Sequence, residues 1–179
     1  RDTDEYDVVE LRRHIGYVSQ ERFLFSGTIR ENVAFGKSAE DREIMAAVRA
    51  AALNETISEF PNGLDTIVGE KGVILSGGQK QRIVLARALI HQTPILLLDD
   101  PIGQVDTETA AAIIQTIRSL SGSRTTIIVS HRIPAVQFAD HVLVLDQGRI
   151  IESGTHRQLL ENGGYYAKTE QLQSLEASE

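Results

Sequence analysis

Two kinds of apolar pattern alternate along this chain. Short continuous runs read as β-strands. These are His14 to Val18 in "HIGYVSQ", the run in "TPILLLDD", "RTTIIVSH", and "DHVLVLD" with "QGRIIESG" returning as its hairpin partner across a Gln147-Gly148 turn. Longer stretches carry apolar residues every three or four positions and predict helices. "SAEDREIMAAVRAAALNETISEFP" places Ile44, Val48, Ala51 and Ala52 at helical spacing, with Ser38 as N-cap and Pro61 ending the run. Ser76 is placed to cap a helix from Gly77 to about Ala88, and Asp106 or Thr107 to cap "DTETAAAIIQTIRSL". One turn from Thr28 to Val33 has the capping-box pair Thr28 and Glu31. "IPAVQFA" reads as a short helix, and the tail as two helices parted by Gly163-Gly164.

Strands alternating with helices, and ending in acids, predict an α/β fold with a parallel sheet and a site along its carboxyl edge. The continuous apolar run before Asp99-Asp100 is expected to be buried on both faces. The helical block from about Ser38 to Ala88 interrupts the alternation and reads as an inserted subdomain.

Composition narrows the picture in a few places. The 179 residues suffice for one domain with a substantial core, alone or with a smaller subdomain. A net charge of −7 and the lack of a Lys/Arg stripe argue against nucleic-acid binding. Without cysteine there is neither a disulfide framework nor a thiolate metal site. No apolar run approaches the roughly 20 residues that span a bilayer.

The chemistry-bearing residues stand at element ends. Ser76-Gly77-Gly78-Gln79 opens a helix, whose unpaired N–H groups attract anions, and the two glycines let a phosphate approach the backbone. The same four residues would serve a plain helix cap. Asp99 and Asp100 end a strand, and Gln20 and His131 each follow one; taken singly, Gln20 reads as a polar residue starting a turn and His131 as a structural strand-end histidine.

Leu75 to Gln79, "LSGGQ", followed by "LARAL" and "ILLLDD", resembles the signature and Walker B segments of ATP-binding cassette (ABC) proteins. "IGYVSQ" is similar to the family's Q-loop and "IIVSHR" to its switch strand. All four stand in the family's order, over nearly the whole chain. The resemblance implies a P-loop NTPase (RecA-like) core, incomplete at its N-terminus, with an inserted α-helical subdomain. Residues 1–20 would end at the Q-loop, 21–92 would form the helical subdomain with the signature, and 93–179 the rest of the core.

It also implies roles. Leu75, Ser76, Gly77, Gly78 and Gln79 would face ATP held by a second ABC ATPase domain in a head-to-tail dimer, joined by Asp106 of the D-loop, which is equally a good N-cap. Asp99 and Gln20 would serve Mg²⁺, and His131 would sense the γ-phosphate. Asp100 stands where the family usually has the glutamate that polarises water. It is shorter by roughly 1.5 Å, and misplacement by about 1 Å can cost on the order of 10²-fold. A weakened hydrolytic site follows, as in one half of an asymmetric pair. Gly103-Gln104-Val105 departs from the family's usual Ser-Ala-Leu.

Nothing fits the Walker A pattern G-x-x-x-x-G-K-[ST]. The expectation is truncation, with residue 1 falling inside a domain; the rival is a naturally loopless protein. "RFLFSGTIRENVAFG" and "TIVGEKG" resemble the exporter branch, in which Phe23, Leu24, Phe25 and Glu70 would lie near the transmembrane part, fused upstream. An ATP-hydrolysing exporter domain at the cytoplasmic face of a bacterial inner membrane is the leading reading. A catalytically inactive, nucleotide-dependent regulatory or dimerisation module is the second. A soluble ABC ATPase of DNA repair or translation is disfavoured by the acidic balance.

Overall fold

The strand after Pro94 forms as expected: β4 (Ile95–Asp99) lies at the centre of a three-stranded parallel sheet, between β1 (Ile15–Val18) and β5 (Thr125–Val129). The computed structural model describes residues 5–69, 72–120 and 122–176. It divides into two units, Arg1–Val129 and Ser130–Glu179.

In the first unit Gly16 pairs with Leu96 and Val18 with Leu98, while Leu96 faces Thr126 and Leu98 faces Ile128. Leu96 and Leu98 are fully buried. On the other face Tyr17, Ile127 and Val129 are exposed. The expectation of burial on both faces is therefore corrected. Helix α5 (Gly77–Ile90) covers the Gly16 face closely, since a Cβ on Gly16 would lie 3.3 Å from the Ala88 carbonyl.

Helix α5 is apolar around most of its circumference, which marks a helix surrounded by protein. Ile83, Val84, Leu85, Ala86, Ala88, Leu89 and Ile90 are all buried. Helix α1 (Val8–Arg13) precedes β1, and α5 packs against α2 (Ile29–Ala34), α3 (Asp41–Ala50) and β1. Thr28 and Glu31 make the predicted capping box on α2.

Ser38 is not the cap of α3. Glu40 takes that place, its N–H donating to the Glu43 carboxylate at 3.0 Å. Glu43 also pairs with Lys37, which draws the carboxylate back over the helix start and lowers its pKa. Ala52, at φ 52, breaks the predicted helical run, which resumes as α4 (Asn54–Ser58). A short antiparallel ladder joins β2 (Gly27–Thr28) to β3 (Ile67–Val68). Asp106 caps α6 (Thr107–Ser119) by accepting from Thr109, which lowers the pKa of its carboxyl.

In the second unit α7 (Ile133–Val136) precedes β6 (Val142–Asp146) and β7 (Arg149–Gly154). The two strands pair antiparallel, so β6 is a hairpin strand rather than a member of the parallel sheet. Gln147 and Gly148 both have positive φ, as a type I′ turn requires. Helices α8 (His156–Asn162) and α9 (Tyr165–Glu176) follow. Gly163 adopts the left-handed conformation that ends α8. Gly164 leaves room for the Glu152 carboxylate, which accepts from the Tyr165 and Tyr166 N–H groups at the start of α9. Ile133, Val142, Leu159 and Tyr166 form this unit's core. Burial and the nearby Glu170 raise the Tyr166 pKa. Among the described residues no helix is long and apolar enough to cross a membrane.

Truncating Leu96 should show which face of the sheet carries stability. Leu96→Ala is expected to cost about 2–5 kcal/mol in urea unfolding, and Leu97→Ala on the half-covered face distinctly less.

Candidate functional site

The glycine corner at Ser76 is a capping box. The Ser76 hydroxyl oxygen accepts from the Gln79 N–H at 3.2 Å, and Gln79 Oε1 accepts from the Ser76 N–H at 2.9 Å. These bonds use the oxygens of both side chains. The capping box does not use the Ser76 O–H or the Gln79 amide NH₂, which stand at the start of a 14-residue helix. Leu75 is buried beneath the corner and Ser76 is exposed. The cap and the anion-binding readings are thus compatible, because they draw on different atoms.

Both glycines lie against Gln104, Gly78 against its backbone and Gly77 against the end of its side chain. A Cβ on Gly77 would fall on the Gln104 side-chain oxygen, and one on Gly78 would lie 2.7 Å from the Gln104 carbonyl. The loop Pro101–Val105 therefore runs directly against the corner.

What ties the two together is Gln81, which the sequence reading passed over. The residue is 2% exposed, and its carboxamide donates to the Asp100 carbonyl at 2.5 Å and accepts from the Gln104 N–H at 3.3 Å. A glutamine on the apolar side of a helix was the available signal, since a buried carboxamide must find partners.

Asp99 ends β4 half-buried, and Asp100 follows it buried, at φ 50. Asp tolerates the left-handed region better than most residues. The Asp100 N–H donates to the Val129 carbonyl at 2.8 Å, which extends the β4–β5 ladder by one bond. Its carboxylate folds over Gly103, where any side chain would collide with it. Gly103 in place of the family's serine thus accommodates the turned-in carboxylate.

Gln20 is exposed, two residues past the end of β1. Asp106 is exposed and caps α6. The structure thus brings together the glycine corner, Gln81, Gln104 and Asp100, with Asp99 next to them in sequence. His131 belongs to the second unit, exposed at its surface. Its carbonyl accepts from Gln173 Nε2 at 2.7 Å, and Gln173 Oε1 accepts from the Ile133 N–H at 2.9 Å. Gln173 of α9 thereby clamps the turn that presents His131, another residue the sequence did not flag.

Asp99 and Asp100 offer hard carboxylate oxygens. Among the described residues no three His, Cys, Asp or Glu gather into a metal cage. Mg²⁺ commonly takes only one or two carboxylates, with water and phosphate supplying the rest, so the half-buried Asp99 suits it, while the Asp100 carboxylate is turned onto Gly103. For a nucleotide, the Ser76 hydroxyl and Gln79 amide donors, which the capping box does not use, suit a phosphate.

Phe23 and Phe25 are exposed and Leu24 is half-buried. Glu70 lies outside the described residues.

The family model for "ABC transporter" matches residues 1–103. The chain is 44% identical over 169 residues to the ATP-dependent lipid A-core flippase of Burkholderia pseudomallei (strain 1710b), covering 94% of this chain and 28% of that protein. It is 49% identical over 170 residues to the "Probable multidrug resistance ABC transporter ATP-binding/permease protein YheI" of Bacillus subtilis (strain 168), covering 94% of this chain and 29% of that one. A solved structure of a bacterial Atm1-family ABC exporter with ATP bound superposes with a TM-score of 0.86 at 43% identity, over 92% of this chain and 29% of that one. The chain thus spans less than a third of the length of these proteins, and the α/β parallel-sheet fold is shared with the exporter.

The two glycines are expected to separate packing from function. Gly78→Ala meets a backbone carbonyl and should destabilise by about 1–3 kcal/mol in urea unfolding. Gly77→Ala meets only the movable end of Gln104, so its midpoint should stay near the parent's or rise, as alanine favours helix.

Proposed function

Because the chain belongs to the ABC transporter family, we propose that it is part of the nucleotide-binding domain of a membrane exporter. Its glycine corner would complete an ATP site on a second ABC ATPase domain. The observation that carries this reading is the capping box at Ser76, which uses the side-chain oxygens of Ser76 and Gln79 as acceptors and leaves the exposed Ser76 hydroxyl and the Gln79 amide out of its donors. Within that domain, residues 1–20 and 93–179 would belong to the α/β core and 21–92 to a helical subdomain.

Each residue's part follows from its place. The Ser76 hydroxyl, the Gln79 amide and the first N–H groups of α5 would bind the γ-phosphate of the partner's ATP. Asp99, with Gln20, would hold Mg²⁺ through water, and the cation would neutralise phosphate charge during hydrolysis. Asp100 would orient the attacking water, and His131 would hydrogen-bond the γ-phosphate. Asp106 would line the dimer interface while capping α6. The domain's own nucleotide would need a Walker A loop that these 179 residues do not contain.

Phe23, Leu24 and Phe25, with Glu70, would meet the transmembrane part at the cytoplasmic face of a bacterial inner membrane. One relative is named a lipid A-core flippase and another a multidrug transporter. Cargo selection would therefore belong to the membrane-spanning part.

A second reading, a nucleotide-dependent module that does not hydrolyse at its own site, is favoured by one observation. The Asp100 carboxylate is short, buried and turned onto Gly103. The two readings combine in an asymmetric heterodimer, where this chain completes a partner's competent site and its own site mainly binds ATP.

Turnover by the full-length protein in proteoliposomes tests both. ATP hydrolysis is expected to be slow for the protein alone and at least about tenfold faster with its partner, and Ser76→Arg should abolish the gain. Fast hydrolysis by the protein alone would reject the asymmetric pair. A Ser76→Arg variant as active as the parent would reject the role of the glycine corner.

A further inference from the structure

The exposed aromatic corner is more tightly built than loop packing requires. Phe23 meets Phe25 edge-on at 4.9 Å between ring centroids, and Phe25 stacks on Phe35 at 5.0 Å. All three rings are substantially exposed, at 64%, 44% and 49%. Phe35 holds φ 41 at the end of α2, a strained backbone region for a bulky residue that persists only where its surroundings fix it.

Those surroundings are Arg87 and Asn32. The Arg87 guanidinium lies 5.3 Å from the Phe25 ring centroid and 5.0 Å from that of Phe35. It donates to the Asn32 carbonyl at 2.8 Å, to Asn32 Oδ1 at 2.9 Å and to the Phe23 carbonyl at 3.2 Å. Asn32, buried, donates in turn to the Phe25 and Thr28 carbonyls at 2.9 and 3.0 Å and accepts from the Phe25 N–H at 2.9 Å. No ion pair found among the described residues includes Arg87. Its charge is answered by carbonyls and π faces, and burial lowers its pKa. A planar fork with this many fixed acceptors sets geometry in a way a lysine could not.

Arg87 sits on α5, eleven residues from the Ser76 cap, about 16 Å along a helix rising 1.5 Å per residue. We propose that Arg87 is a positioning residue: with Asn32 it locks Phe23, Phe25 and Phe35 to α5, so that the helix opening at the glycine corner carries the aromatic corner with it. Nucleotide engaged at Ser76 is thereby felt at the surface that meets the transmembrane part. This rests on the reading of Phe23 to Phe25 as the docking surface for that part. The occupant is the remainder of the same transporter, in line with relatives more than three times as long as this chain.

The test places the photo-crosslinking residue p-benzoylphenylalanine at position 23 of the full-length protein in native membranes, with crosslinks mapped by mass spectrometry. In the parent, crosslinks reach the transmembrane part, and a non-hydrolysable ATP analogue with Mg²⁺ changes the crosslinked fraction. In Arg87→Lys, which keeps the charge and loses the fork, that change shrinks at least threefold at a matched folded fraction. A merely structural arginine would alter yield and melting temperature but leave the nucleotide response of the folded protein intact. Phe35→Leu leaves all the Arg87 hydrogen bonds and removes one ring; it should shrink the response in the same direction, and it decides the matter if Arg87→Lys does not fold. A parent-like response in whichever of these variants folds overturns the proposal, as does a parent whose crosslinks ignore nucleotide. Crosslinks that never reach the transmembrane part overturn the docking reading itself, a separate and recognisable result.

Discussion

The Gln81 carboxamide joins the signature helix to the loop that follows the double aspartate, and the site's geometry depends on that bridge. Buried among apolar neighbours, it spends its donor on the Asp100 carbonyl and its acceptor on the Gln104 N–H. An unpaired carboxamide there would cost about 1–3 kcal/mol, so the loop is held where both bonds can form. That placement brings Gln104 against Gly77 and Gly78 and sets where Asp100 leaves the strand. Gly78, which meets the Gln104 backbone, therefore has a packing duty inside the chain as well as any duty toward a phosphate.

Helix α5 carries polar groups at separated points on an otherwise buried surface. Ser76 and Gln79 cap its start, Gln81 fixes the loop, Arg82 reaches the Ala52 carbonyl, and Arg87 reaches the aromatic corner. Burial lowers the pKa of both arginines, most simply for Arg87, where desolvation has no acidic neighbour to oppose it. Hydrogen bonds to several carbonyls offset that desolvation. The helix is thereby tied to its surroundings at each of these points.

In the second unit the same logic acts through carboxylate and amide caps. Glu152 reaches from β7 to the start of α9, and Gln173 reaches from α9 back to the turn bearing His131. The His131 side chain is presented by a turn whose backbone is held in place.

Local pattern determined much of this protein. The capping box at Thr28, the cap at Ser76, a cap at Asp106 or Thr107, the strand before Asp99 and the Gln147-Gly148 turn were all legible, because each is decided largely by neighbouring residues. The order of Gln20, "LSGGQ", Asp99 and His131 was legible as a family resemblance. Tertiary structure alone decided the rest. Glu40 displaced Ser38 as a cap because the Glu43 carboxylate reached back to its N–H. The parallel sheet kept one face open and left β6 to its hairpin, since pairing and coverage depend on segments far apart in sequence. Gln81 and Arg87 drew their meaning from acceptors 19 to 64 residues away. A side chain's reach through space is not written in its neighbours along the chain.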